Sequence, residues 1–507
     1  MEPQVAVAAV SRDAARAGAA VAEAGGNAVD AALAAGLVAT VTHPGMCSLG
    51  GAAFVTVWPA DADPVVVDGA VAVPGRGLGA DEPGGGGREV RLSYGGGTPT
   101  EVGPGSVGVP GLLAACAAAS RRFGRLPWSE LLAPAVRRAR EGFPLPEACH
   151  AFLVHAYGPI YRRDDRSRAA LGDGDGELVD PGETVRPEGL AGSLDLLARE
   201  GVGAFYGGTL GRRVADHVRE AGGSLTRRDL ETYRPEARRP LTTEMDGWRV
   251  ATNPPPAAGG RILAALLALS GDRPAAGWTA REVAWLVRAQ RAVLARARGR
   301  PEGRLPERVR RVLEDGGGAA SPGSPSTLHT STVGSDGTLC SITMSDGYGS
   351  GVMPPGTGIW LNNCLGEREL NPAGPGAAGP PGRRLPSNMA PTAARGPDGG
   401  ALALGSPGSE RIPTAVHQVL HHRIHLDAGL EEAVHRPRLH VEEADGGPRV
   451  ACEPGLPTGE VELPLRPYDD LDMFFGGAAA VERRADGELV LAADPRRGGG
   501  TATAPPG

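Results

Sequence analysis

The segment D-G-G-G-A-A-S-P-G-S-P-S at 315–326 constrains this chain more than any other. It is a clear shift in composition, too rich in Gly, Pro and Ser for a helix or a central strand. It delivers the backbone directly to Thr327, which opens a β-branched, polar stretch to Val333. G-S-D-G at 334–337 then reads as a turn, and Thr338 to Ser345 is β-prone again. The pattern predicts a hairpin whose first strand begins at a hydroxyl side chain on the end of a pliable tether.

That junction is what an N-terminal nucleophile requires. A hydroxyl at the head of a strand can attack the preceding carbonyl, convert the peptide into an ester and let water release a new chain start. The planar, resonance-stabilised amide resists such attack, and a Gly/Pro/Ser tether lets the backbone bend toward the necessary geometry. The freed threonine carries its own base, because an α-amino group has a pKa of roughly 7.7–8.0, close enough to neutrality for proton transfer after modest lowering. A threonine beside its own amine is an activated nucleophile.

Other chemistries are poorly served. Gly (78) and Pro (46) together stop just short of the roughly 25–30% that marks low-complexity chains, and 41% hydrophobic residues leave enough for a core. All 52 basic residues are arginine, which fits a GC-rich coding bias toward Ala, Gly, Pro and Arg. A net charge of −7 and 4% aromatic residues argue against nucleic-acid binding, which needs a basic face and stacking platforms. G-P-G-S-V-G at 103–108 matches a dinucleotide fingerprint, but no buried apolar strand precedes it. No serine sits in G-x-S-x-G. His421 and His422 are adjacent, with His417 and His425 four residues to either side, yet no H-E-x-x-H appears, and a solvated helix face is expected rather than zinc. The six cysteines (47, 116, 149, 340, 364 and 452) are too scattered for a disulfide framework and read as thiols in a reducing compartment.

The N-terminus has no basic region ahead of an apolar run, and the longest apolar stretch, Ala31 to Val41, falls short of the roughly 20 residues of a membrane span. The expectation is a cytoplasmic protein with no membrane association, or an exported one if the true start lies upstream. Ser11 is expected to cap a helix to about Ala24, and Asn27 a second to about Val41. Further helices are expected at 110–123, 127–140, 187–200, 208–221 and 280–298, and the tail 496–507 is expected to be disordered.

Seven blocks carry a resemblance. They are G-G-N-A-V-D-A-A-L-A-A (25–35), F-Y-G-G-T-L (205–210), G-G-S-L-T-R-R-D-L (222–230), N-P-P-P-A-A-G-G (253–260), G-T-G-I-W-L-N-N (356–363), S-N-M-A-P-T (387–392) and G-S-P-G-S-E-R-I (405–412). In this order they resemble the γ-glutamyltranspeptidase family. The resemblance implies an α+β fold, the four-layer αββα sandwich of N-terminal-nucleophile hydrolases, built from both fragments of a self-cleaved precursor. Residues 1–326 would form the large, helix-rich fragment and 327–507 the small catalytic one.

Site residues follow from the same resemblance. T-L-H-T-S at 327–331 stands for the family's T-T-H-x-S, so Thr327 takes the nucleophile's place, cleavage falls between Ser326 and Thr327, and Leu328 departs from the second threonine. Ser345 falls where a hydroxyl supports the nucleophile. Gly408 and Ser409 match a Gly-Gly pair whose N–H groups form the oxyanion hole. Ser387 and Asn388 replace a Ser-Ser pair that holds the substrate α-carboxylate. Glu367 matches the acidic residue that binds its amino group, Cys364 replaces a Gln or Glu, and Asn363 lies in the same block. The family's carboxylate-binding arginine sits in an F-R-E-x-A-P block. The corresponding V-D-G-A-V-A-V-P (67–74) has none, which leaves Arg88 or Arg91 as substitutes.

The implied activity is transfer of a γ-glutamyl group, from an amide such as glutathione, through a threonine ester to water or an amine. No metal or organic cofactor is expected. The two fragments would form a heterodimer, with pairing of two heterodimers left open. The alternatives are an amidase, acyltransferase or C–C hydrolase for a non-glutamyl substrate of specialised metabolism, and an unprocessed, non-catalytic protein.

Overall fold

The predicted hairpin forms, with Leu328–Gly334 antiparallel to Leu339–Ser345 and Ser331 opposite Ser341. It is the centre of a seven-stranded sheet in a computed structural model that describes residues 4–79, 84–94, 97, 99–271, 277–299, 305–314, 326–368, 370–444 and 446–505. Val5–Ala9 flanks one side of the hairpin, and Gly500–Ala504 lies beyond it. Ala52–Trp58, Val65–Gly69 and Glu236–Arg238 extend the other side. A second sheet has six strands, in the order Leu489–Ala493, Ala479–Arg483, Ala401–Gly405, Thr392–Arg395, Trp248–Thr252 and Leu241–Met245.

The two sheets face each other across a layer of small side chains, among them Ala6, Ala8, Ala393, Ala401, Ala403 and Ala479, with Val333 and Leu339. Every residue of Leu328–Gly334 is buried, as a strand covered on both faces must be. Helices Arg12–Glu23 and Ala28–Thr42 cover the outer face of the first sheet. The Ser11 hydroxyl accepts from the Ala14 N–H, and Asn27 and Asp30 form a capping box, so both helices start where their caps predict. Ala258–Ser270, Ile412–Leu420 and Leu430–His435 cover the second sheet. The layers are therefore helix, sheet, sheet, helix. The other predicted helices appear as Leu112–Phe123, Trp128–Glu141, Leu190–Glu200, Thr209–Glu220 and Ala280–Ala297.

Two expectations are corrected. The tail is not disordered through residue 505: Gly500–Ala504 pairs along the whole of Val5–Ala9, and Ala504 is buried, while 506–507 lie outside the described residues. Its alternating threonines and alanines suit an edge strand. The histidine-rich segment is not a solvated face, because His417, His421, His422 and His425 are all buried. Their helix lies between the second sheet and Ala280–Ala297 rather than against water. The six cysteines are free thiols, five buried and Cys364 half-buried. Among the described residues no helix is long and apolar enough to cross a membrane. The tether at 315–325 lies outside the described residues.

Candidate active site

The hairpin register sets Thr327 beside Ser345, because Leu328 pairs with Met344. Thr327 Oγ1 donates to Ser345 Oγ over a long 3.4 Å, and Ser345 Oγ donates to the carbonyl oxygen of Ser326 at 2.7 Å. The Gly347 N–H donates to the same Ser345 oxygen at 3.2 Å. One hydroxyl thus touches both the Thr327 hydroxyl and the carbonyl oxygen of the residue before it. Hydrogen bonding there favours attack, since negative charge gathers on that oxygen in the transition state.

His329 braces the strand. Its Nδ1 meets Thr343 Oγ1 and its Nε2 meets Ser331 Oγ, both at 2.8 Å. Burial lowers its pKa to about 3, so it is a neutral strut and not a base. Its ring fills the space where a side chain at Gly405 of the facing sheet would stand. Leu328 points to the opposite face and joins the core beneath the helices.

The turn at Gly408 and Ser409 is strained and anchored. Gly408 has φ 124° and Ser409 has φ 56°, the left-handed region that side chains avoid. Beside them the Glu410 carboxylate is buried against Arg298 at 3.2 Å, His440 at 3.6 Å and Arg411 at 3.7 Å. Burial alone would push its pKa up, but these partners hold it down at about 2. The ionised carboxylate fixes the turn from behind. The sequence reading missed this support, for which the only signal was the G-S-E-R run.

A cleft with about 470 Å³ of empty space opens over Thr327. Thr327, Ser345, Cys364, Glu367, Ser387, Asn388 and Ser409 line it, as do Ala52, Ala70, Val71, Leu370, Leu385, Pro386, Met389 and Ile412. Most of the expected site residues therefore converge, and an apolar wall that the sequence reading did not name joins them. Asn388 is 4% exposed, and neither its amide nitrogen nor its amide oxygen has a hydrogen-bond partner. Buried amides are normally satisfied, so this one is available to a ligand. Ser387 is tied to its surroundings: its carbonyl accepts from Ala258 and Gly259, and its hydroxyl accepts from the Met389 N–H. Burial next to Glu367 pushes the Cys364 thiol well above its usual range.

Other expected residues lie elsewhere. Asn363 does not line the cleft. Its side chain donates to Thr100 and Glu101 and accepts from the Tyr348 N–H, holding the loop after Ser345 in place. Arg88 and Arg91 sit on Arg88–Arg91, where they donate to the carbonyls of Pro159 and Gly97, and neither lines the cleft. The stretch expected to carry the family's arginine does reach the cleft, but it presents Ala70 and Val71. Among the described lining residues no arginine appears, and Glu367 is the acidic one.

Comparison with known proteins follows this geometry. A family model described as Gamma-glutamyltranspeptidase matches residues 14–300 and 306–504. The glutathione hydrolase proenzyme of Escherichia coli (strain K12) is 27% identical, over 97% of this chain and 90% of that protein. The acylase ACY 1 proenzyme of Pseudomonas sp. (strain SE83) is 32% identical, over 84% of this chain and 80% of that protein. The crystal structure of cephalosporin acylase from Bacillus halodurans matches with a TM-score of 0.81 and 25% identity, covering 99% of this chain and 96% of that one.

Proposed function

The chain belongs to the γ-glutamyltranspeptidase family, and from that premise we propose that it is a self-processing threonine hydrolase and transferase for amides of the γ-glutamyl type. The contact of Ser345 with both Thr327 and the Ser326 carbonyl carries this reading. In processing, Thr327 Oγ attacks the Ser326 carbonyl carbon. The C–N bond breaks, the proton passes to the departing amine, and Ser326 is left as an ester on Thr327. Water cleaves the ester. The products are a 326-residue fragment ending in a carboxylate and a 181-residue fragment headed by Thr327.

In turnover the free α-amine takes the hydroxyl proton as Thr327 attacks the substrate amide. Ser409 and Gly408 supply N–H donors to the developing oxyanion. The leaving amine departs protonated, and water or an amine then takes the acyl group. Glu367 is assigned to the substrate's amino group, and Ser387 with Asn388 to its carboxylate. Leu328, buried on the helix side, keeps clear of the junction and does not favour an unprocessed protein.

A second reading concerns the acyl group. Ala70 and Val71 stand where the family's arginine is expected, and Leu385, Met389 and Ile412 add apolar surface. A bidentate guanidinium is the usual partner of a buried carboxylate. Its absence among the described lining residues favours an acyl group without an α-carboxylate, in line with the acylases among the relatives. One experiment orders these readings. A denaturing gel of the wild type should show two bands and Thr327→Ala one. The processed enzyme is then offered γ-glutamyl-p-nitroanilide and an N-acyl-p-nitroanilide lacking the α-carboxylate. Turnover of the second alone replaces the first reading with the second, and a single wild-type band removes both.

A further inference from the structure

Helix Ile412–Leu420 continues into a π-helical turn, His421–His425, and such turns often mark functional sites. The turn brings the His421 and His425 rings to 4.8 Å between centroids. Glu282, in the first turn of Ala280–Ala297, faces them, with its carboxylate 3.0 Å from His421 Nε2. All three side chains are buried, and one ligand atom from each lies within 4.8 Å of the other two.

His425 has the arrangement expected of a ligand. Its Nδ1 meets Asp246 Oδ2 at 2.8 Å, which fixes the tautomer and leaves Nε2 as a lone pair. That Nε2 is buried and has no hydrogen-bond partner. A carboxylate on the far nitrogen of a metal-bound imidazole is a recurring support in metal sites.

We propose that Glu282, His421 and His425 form a site for a divalent first-row metal, zinc by the chemistry of the donors. Two imidazoles and a carboxylate are a common zinc set, with bonds of about 2.0–2.2 Å and a fourth position for water. In a tetrahedral site such bonds put neighbouring ligand atoms about 3.3–3.5 Å apart. The 3.0 Å pair is close to that spacing, and the three ligand atoms all lie within 4.8 Å of one another. The site belongs to the outer helical layer and is separate in sequence from Thr327, Glu367 and Ser409. It would clamp Ala280–Ala297 to the end of the helix whose first residue, Ile412, lines the active cleft.

The test uses the full chain. Purified from zinc-supplemented medium and dialysed against metal-free buffer, it should retain about one zinc per chain by elemental analysis. Protein stripped by chelator should regain visible ligand-field bands with Co2+, and the Cu2+-loaded wild type should show two imidazole nitrogens by pulsed EPR. Asp246→Asn should weaken zinc binding by about 10–100-fold, and Glu282→Gln and His425→Gln should lose it, whereas His435→Gln should not. The EPR result stands on the wild type alone, so variants that fail to fold do not remove the test. Folded wild type with neither retained zinc nor a Co2+ spectrum overturns the proposal. So does a Cu2+ signal without two imidazoles, or zinc retained equally by folded Glu282→Gln and His425→Gln.

Discussion

Ser409 holds a side chain where the backbone favours none. Its φ of 56° costs about 1–2 kcal/mol relative to a right-handed conformation, and Glu410, ionised by Arg298, Arg411 and His440, keeps it there. Ser409→Gly should therefore still process and turn over substrate, and should raise the urea midpoint by the equivalent of up to about 1 kcal/mol. A loss of stability would mean that the serine hydroxyl contributes more than the strain removes. Ser345 makes the complementary prediction. Its hydroxyl is the donor to the Ser326 carbonyl, so Ser345→Ala should slow the appearance of the two fragments by about 10²–10³-fold, the usual cost of one oxyanion donor. An unchanged half-time on a timed gel would remove Ser345 from processing. At this scale the sequence was legible where a motif fixes a position, as with Thr327 beside Ser345 in the cleft. It was not legible where a role depends on which atoms remain unpaired. Nothing in S-N-M-A-P-T says that both polar atoms of Asn388 lack partners while the Asn363 side chain is fully used in holding a loop.

The loop that follows Ser345 contains an acid that resists ionisation. Asp346 is buried, and desolvation pushes its pKa up to about 7 despite hydrogen bonds from its own backbone and from Ser48. An unfolded aspartate titrates near 3.9, so between those two values the native state binds more protons than the unfolded state. Stability is then highest below about pH 4 for this group and falls as pH rises toward 7, by up to about 4 kcal/mol. Asp346→Asn should flatten that part of the stability profile in urea melts at successive pH values. A mutant profile parallel to the wild type would show that Asp346 is not the responsible group. Elements themselves were legible where a local signal exists. Ser11 and Asn27 cap the helices they mark, and G-S-D-G turns the hairpin. Helix Ala258–Ser270 was not foreseen, because its glycines read as breakers and its residues are apolar nearly all round. Gly259 is needed there, since a β-carbon would stand 2.0 Å from the Asn388 carbonyl oxygen. The histidine segment misled for a related reason, because polar residues on a helix read as solvated until the helix that covers them is placed.

Across the whole molecule, the proposed junction at 326/327 divides a chain whose two parts share both sheets. The seven-stranded sheet takes Val5–Ala9, Ala52–Trp58, Val65–Gly69 and Glu236–Arg238 from before Thr327, and the hairpin and Gly500–Ala504 from after it. The six-stranded sheet likewise combines Leu241–Met245 and Trp248–Thr252 with four strands from the later part. Val5–Ala9 has a later strand on each side, the tail strand and the first hairpin strand. Neither part can complete either sheet alone, and each would expose long unpaired edges, which invite aggregation. Cutting the backbone at 326/327 leaves all of these pairings in place. Processed protein should therefore stay one particle in size-exclusion chromatography and separate only in denaturant. Residues 1–326 and 327–507 expressed singly should be insoluble, and their co-expression should recover soluble protein. Removing 500–507 tests the same idea from the edge. It strips one of the two partners from Val5–Ala9, a strand buried along its whole length, and should lower the thermal midpoint by several degrees, the shift that a few kcal/mol produces. A soluble, monodisperse 327–507 fragment on its own would show instead that the small part folds independently, and the two-fragment sandwich would then be an association of finished domains.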